Sequence, residues 1–219
     1  MPKLAPSLLE ADYCFLYDQL KIMEKAGADY VHIDVMDGAF VPNLALGMKE
    51  IQSIRPVTEL VFDVHMMVNE PIRYVRQMKE AGADIITVHL EACEDPQETI
   101  LAIKETGVKA GIVLKPDTKL SELSEAIISM VDVVQLMTVQ PGLAGQKFIP
   151  ESLNRIKELR DRIDRENPGC EIEVDGNIGV HNEQDVVAAG ATVIVSGKAL
   201  FDGDLGKNIS EMKRLIESI

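Results

Sequence analysis

Three observations predict that this α/β chain folds as a single-domain (β/α)8 barrel across residues 1–219. A helix exit followed by a short apolar run recurs along the chain, and eight such runs fit the length of one closed barrel. No linker or change in composition divides the sequence. The helix exits are the most regular feature. Ala26-Gly27-Ala28-Asp29 leads into 30–34, Ala81-Gly82-Ala83-Asp84 into 85–89, and Ala189-Gly190-Ala191 into 192–196. Each Gly stands where a left-handed residue ends a helix, and Glu105-Thr106-Gly107 before 108–114 repeats the device.

In chain order, strands are expected at 3–7, 30–34, 61–66, 85–89, 108–114, 132–137, 170–175 and 192–196. These runs are β-branched and too brief for helices. A helical pattern follows each one. It is clearest at 150–166, where Leu153, Ile156, Leu159 and Ile163 recur at helical spacing with charges between them. Strands that alternate with helices pair in parallel, so the core is expected to be aliphatic. The composition agrees: 4% aromatic residues, no Trp and ten Met.

Charge and cysteine usage narrow the function classes. The 22 Lys plus Arg against 36 Asp plus Glu leave a net charge of −14, which argues against nucleic-acid or membrane-surface partners. Cys14, Cys93 and Cys170 are odd in number and widely spaced, as expected for free thiols in a cytoplasmic protein. The longest uncharged run, 133–146, is short and broken by Pro141, so no membrane span is expected; Glu10 and Asp12 interrupt any secretory signal.

A barrel of this kind carries its chemistry at the C-terminal ends of the strands. His32, His65 and His89 fall at or beside such ends, His181 lies just past the seventh strand, and Ser7, Asp34 and Asp175 share the same level. His32 and Asp34 are two apart on one strand and therefore face one side. With His65 and Asp175 they can converge on one divalent cation, although hydrogen-bonded core histidines and strand-end aspartates would produce the same pattern. His89 is outside this set and reads as structural or as a support for a ligand. Two carboxylates beside a cation suit proton transfer next to a carbonyl: one Asp removes the proton and the other returns it to the opposite face.

The loops after strands six to eight are rich in glycine. Gly142, Leu143, Ala144 and Gly145, then Gly176 and Asn177, then Gly197 and Lys198 form turns whose backbone N–H groups can grip a phosphate, with ordinary turn chemistry as the alternative. Met36, Met66, Met67 and Met137 stand at strand ends; Met36, Met67 and Met137 are read as an apolar lining of the site that excludes water.

Ala5-Pro6-Ser7, His32 to Gly38, Phe40-Val41-Pro42-Asn43, His65 to Val68, Met137-Thr138-Val139, Pro141-Gly142, Gly145 to Ile149 and Glu173-Val174-Asp175-Gly176 together resemble the ribulose-phosphate 3-epimerase family, from Leu4 to about Phe201. The resemblance implies a metal-dependent TIM barrel that interconverts ketose phosphates epimeric at C3. It places one divalent metal ion (Zn, Fe, Mn or Co) on His32, Asp34, His65 and Asp175. It makes Asp34 and Asp175 the catalytic acid–base pair, sets Ser7 and His65 against substrate, and implies a homo-oligomer acting on a small ketose phosphate. Departures from the pentulose-phosphate pattern fall at Gln140, Leu143, Ala144, Asn177 and Lys198. Ala144 and Asn177 are similar to the D-allulose-6-phosphate 3-epimerase branch, which keeps that hexulose phosphate as the alternative substrate to D-ribulose 5-phosphate.

Other classes fit less well. Asp117-Thr118-Lys119 with Glu122 only weakly resembles the Asp-x-Lys-x-x-Asp array of orotidine-phosphate-type decarboxylases, and Thr118 there reads as a helix cap. A metal-dependent hydrolase would need an activated water at an open coordination position. A non-catalytic sugar-phosphate binder would have no use for the paired carboxylates.

Overall fold

The computed structural model describes residues 1–143 and 145–219. Eight parallel strands, β1 (Lys3–Pro6), β2 (Tyr30–Met36), β3 (Val61–Met67), β4 (Ile85–His89), β5 (Lys109–Leu114), β6 (Val133–Met137), β7 (Glu171–Asp175) and β8 (Val193–Ser196), form one sheet in the order β1-β8-β7-β6-β5-β4-β3-β2. The expected strands are all present, and β2 and β3 run on to Met36 and Met67. The helices alternate with them: α1 (Leu16–Ala26), α2 (Met48–Ile54), α3 (Val75–Ala81), α4 (Pro96–Glu105), α5 (Glu125–Met130), α6 (Ser152–Glu166) and α7 (Glu183–Ala188). Two helices, α8 (Lys198–Phe201) and α9 (Leu205–Ile216), follow β8. Gly27, Gly82, Gly107 and Gly190 all have positive φ, as the helix-exit reading requires.

Period-two alternation sorts each strand into an outer and an inner set. Val31, Ile33 and Val35 of β2 join the large aliphatic core between sheet and helices, as do Phe62, Val64 and Met66 of β3. Met66 therefore belongs to the outer core and does not line the barrel mouth. Inside the barrel, Ala5, Tyr30, Ile85, Val133, Val193 and Val195 make an apolar floor. Above that floor the inward residues are polar and fully buried: His32, Asp63, His65, Thr87, His89, Gln135 and Glu173. A barrel interior normally holds branched aliphatics. Burying this many ionisable groups without mutual hydrogen bonds would cost several kcal/mol each.

A repeated clip holds the lower rim. The residue just before each even-numbered strand reaches back to the preceding strand. Asp29 donates its N–H to Leu4 O at 3.0 Å and accepts from Leu4 N–H on Oδ2 at 2.8 Å. Asp84 makes the same pair with Phe62, at 3.0 and 2.8 Å, and Asp132 with Ala110, at 2.8 and 2.9 Å. Thr192 repeats it on Ile172, with Oγ1 in place of the carboxylate, at 2.8 and 2.9 Å. The first clip, together with a bridge between Ser7 and His32, joins β1 to β2 and brings the barrel close to closure.

Candidate metal and catalytic centre

The four residues singled out at the strand ends come together at one point. The β2–β3 register sets Asp34 beside His65, and the β6–β7 register sets Asp175 beside Met137. His65 Nδ1 lies 3.3 Å from Asp34 Oδ1 and 3.7 Å from Asp175 Oδ2. His32 Nε2 lies 3.5 and 3.9 Å from the same two oxygens. All four donor atoms fall within 4.8 Å of one another. Donor atoms around a tetrahedral cation at about 2.0–2.1 Å stand roughly 3.4 Å apart, so this spacing fits a divalent ion. A second observation supports the fit: His32 Nε2 is buried and has no hydrogen-bond partner. A buried imidazole nitrogen left without a partner beside two carboxylates is a cost that a cation removes.

Ser7 donates to Asp34 Oδ2 at 2.7 Å and so holds one carboxylate oxygen while the other faces the cluster. Asp34 is nearly enclosed, whereas the Asp175 side chain retains 17% exposure, so the cluster opens toward β7. Their proton affinities diverge. Burial raises the Asp34 pKa, but His32 and His65 outweigh it and hold the group below the usual carboxylate range. Burial, reinforced by Asp34, pushes Asp175 up to about 6 against the pull of His32 and His65.

Beneath the four lies a supporting layer that the sequence reading did not identify. Asp63 Oδ2 takes the Nδ1 hydrogen of His32 at 2.6 Å, with Glu173 Oε1 at 3.7 Å from the same nitrogen. Burial, then the neighbouring Asp63, keeps the Glu173 pKa well above normal. Gln135 Oε1 accepts from Thr87 Oγ1 at 3.0 Å, and its amide nitrogen lies 3.2 Å from His65 Nδ1. The available signal was spacing: Asp63 is two before His65 and Glu173 two before Asp175, hence on the same inner face.

His89 supports His65 directly, with the two Nε2 atoms 2.9 Å apart. Burial lowers the His89 pKa to about 4 despite Glu91, whose Oε2 lies 3.2 Å from Nδ1. Burial raises the Glu91 pKa, but hydrogen bonds from His89, Thr118 and the Lys115 amide bring it down to about 2. Thr118 is thus not a helix cap: its hydroxyl binds Glu91 Oε1, and the short helical turn at 120–122 is capped at Lys119. His181 is exposed, away from this cluster.

Around the mouth, Met36 and Met67 pack with Val41, Phe40 and Ala45, and Met137 with Val113 and Val139. The glycine turns rim the other side. Gly142 has φ 79°, and a Cβ there would fall 2.4 Å from Val41 Cβ, so the turn after β6 presses against the loop after β2. Gly176 has φ 131°, and a Cβ would meet Val139 N at 2.8 Å. Asn177 takes φ 54°, Gly145 φ 72°, and Gly197 lies over Glu10. Leu143 and Lys198 are exposed. Ala144 lies outside the described residues.

Comparisons with known proteins agree with this architecture. Residues 3–201 match the Ribulose-phosphate 3 epimerase family. The chain is 46% identical over 215 residues to the ribulose-phosphate 3-epimerase of Bacillus subtilis strain 168, covering 97% of this chain and 99% of that protein. It is 44% identical over 213 residues to the enzyme of the same name from Escherichia coli strain K12, covering 96% and 94%. Among solved structures, 3-keto-L-gulonate-6-phosphate decarboxylase from Vibrio cholerae superposes with a TM-score of 0.74 at 18% identity, covering 99% of this chain and 98% of that one, a likeness of fold alone.

Proposed function

Because this chain belongs to the ribulose-phosphate 3-epimerase family, we propose that it interconverts D-ribulose 5-phosphate and D-xylulose 5-phosphate by two-carboxylate proton transfer at C3. The observation that carries the reading is the convergence of Asp34 Oδ1 and Asp175 Oδ2 on the same two histidine nitrogens.

His32 Nε2, His65 Nδ1, Asp34 and Asp175 would hold the divalent cation, with Zn, Fe, Mn and Co all compatible with the mixed nitrogen and oxygen donors. Such a cation supplies positive charge beside the ketone and its neighbouring hydroxyl, which makes the C3 hydrogen acidic. Asp34, ionised and steadied by Ser7, accepts that hydrogen from one face of the substrate. Asp175, the more open of the two carboxyls, delivers a proton to the opposite face and so inverts the centre; in the reverse direction the roles exchange. Met36, Met67 and Met137 exclude water from the planar intermediate. The turns at Gly142–Gly145, Gly176–Asn177 and Gly197–Lys198 take the phosphate through backbone N–H groups.

The deciding experiment measures kcat/KM for D-ribulose 5-phosphate beside D-allulose 6-phosphate on metal-reconstituted protein at one pH. Preference for the pentulose is expected. Preference for the hexulose would overturn the substrate and leave the chemistry, whereas no epimerisation of either would overturn the reading.

A further inference from the structure

We infer that Glu91 and His89 are positioning residues that fix the tautomer of His65, turning its unprotonated Nδ1 toward the cation site. The inference rests on the metal-site reading above, but it concerns a hydrogen-bond chain on the side of His65 remote from that site.

The chain begins at a carboxylate with no freedom. Glu91 Oε1 accepts from the Lys115 backbone N–H at 2.8 Å and from the Thr118 hydroxyl. The loop supplying both donors is itself pinned, since Arg155 of α6 donates Nη2 hydrogens to Lys115 O at 3.1 Å and Thr118 O at 2.8 Å. Glu91 Oε2 is left for His89 Nδ1, 3.2 Å away. An ionised carboxylate only accepts, so His89 Nδ1 carries the hydrogen. A neutral His89 then has an acceptor at Nε2, and its partner 2.9 Å away, His65 Nε2, must donate. With its hydrogen on Nε2, His65 presents a lone pair at Nδ1, the atom that faces Asp34 and Asp175 and can accept from the Gln135 amide 3.2 Å away. Phe40 packs against His89 with ring centroids 4.8 Å apart and planes tilted by 48°, and Lys115 Nζ covers Phe40 at 3.8 Å, which limits rotation of the His89 ring. His32 reaches the same state by another route, through Asp63 on its own Nδ1.

Glu91→Gln tests the direction of the relay. The amide can keep its oxygen on Lys115 and Thr118 while offering an N–H to His89 Nδ1. That reverses the donors from residue 91 to His65 and leaves the His65 hydrogen on Nδ1, facing the cation site, with the Gln135 amide turned over to put its oxygen toward His65 and its nitrogen toward Thr87. The chain has four histidines, so long-range 1H–15N correlation spectra of the metal-free, full-length protein assign each ring nitrogen. The expected result is Nε2–H at His65 in the wild type and Nδ1–H in Glu91→Gln. The Zn2+ dissociation constant, measured by chelator competition, should rise about 10- to 100-fold in the variant. Thr118→Val removes one donor to Glu91 without reversing the chain, and should leave the tautomer unchanged and Zn2+ affinity within about twofold. Nδ1–H at His65 in the wild type overturns the inference even if the variants do not fold. So does an unchanged tautomer in Glu91→Gln, or an equal loss of affinity in Thr118→Val. Neither readout involves substrate, so a failure of the epimerase reading would be seen separately in the activity assay.

Discussion

The cation cluster and the glycine turns share one barrel mouth and are built in opposite ways. The cluster is made of side chains on strands, each backed by a second buried group: Asp63 behind His32, His89 behind His65, Ser7 behind Asp34. The turns are made of backbone, with positive φ at Gly142, Gly145, Gly176 and Asn177 and exposed side chains at Leu143 and Lys198. Side-chain chemistry fails when one atom is replaced, whereas backbone chemistry tolerates changes of side chain and fails when a Cβ has no room. The departures at Leu143 and Lys198 fall on exposed side chains of this second kind, where sequence can change without moving a donor.

Five experiments break or sharpen that contrast, from the largest expected effect to the smallest. Chelation should take epimerase activity to background, with recovery on adding back a divalent cation; full activity in a protein shown by elemental analysis to be metal-free would remove the cluster from the mechanism. Asp175→Asn should lower kcat/KM by about 10²- to 10⁴-fold while the melting temperature changes little, because it removes a group that both carries a proton and holds the cation without changing its size. Activity within tenfold of wild type would end the two-carboxylate scheme. Asp63→Asn leaves the ligands in place and loosens His32; a 10- to 100-fold weaker Zn2+ affinity is expected by chelator competition. Gly176→Ala forces a Cβ onto the Val139 amide and should cost on the order of 1–3 kcal/mol in denaturant unfolding, with a raised KM. Lys198→Ser should change KM by no more than about fivefold, since an exposed cation is worth at most about 1 kcal/mol; a far larger rise would make this lysine a phosphate contact.

The same contrast governed what could be read from sequence. All eight strands and the four converging residues were legible, because period-two spacing and strand-end placement are local signals. Asp63 and Glu173 carried the same spacing, yet a carboxylate in mid-strand has no mark that separates it from a solvent-facing one until the barrel encloses it. Glu91 and Thr118 lie 27 residues apart, and their meeting depends on how the loops after β4 and β5 lie together. Thr118 looks like a cap in sequence because a hydroxyl before a helical turn is a local signal. Met66 shows the reverse: alternation alone sends it outward, away from its neighbour Met67.

The lower-rim clips give the molecule a grain. They tie β1 to β2, β3 to β4, β5 to β6 and β7 to β8 by two bonds each, while across β4–β5, β6–β7 and β8–β1 the same residues offer only a carbonyl, to the N–H groups of Lys109, Glu171 and Lys3. The side-chain half of each clip therefore marks four strand pairs along the lower rim, while the longest pairing in the sheet, β2 with β3 over seven residues, runs between two of them. Relocating the chain ends to Gly107, between β4 and β5, would leave the two strands of every clip consecutive in the chain. Relocating them to the β3–β4 connection would leave Asp84 and Phe62 to find each other across the whole length of the chain, at a higher cost in loop closure.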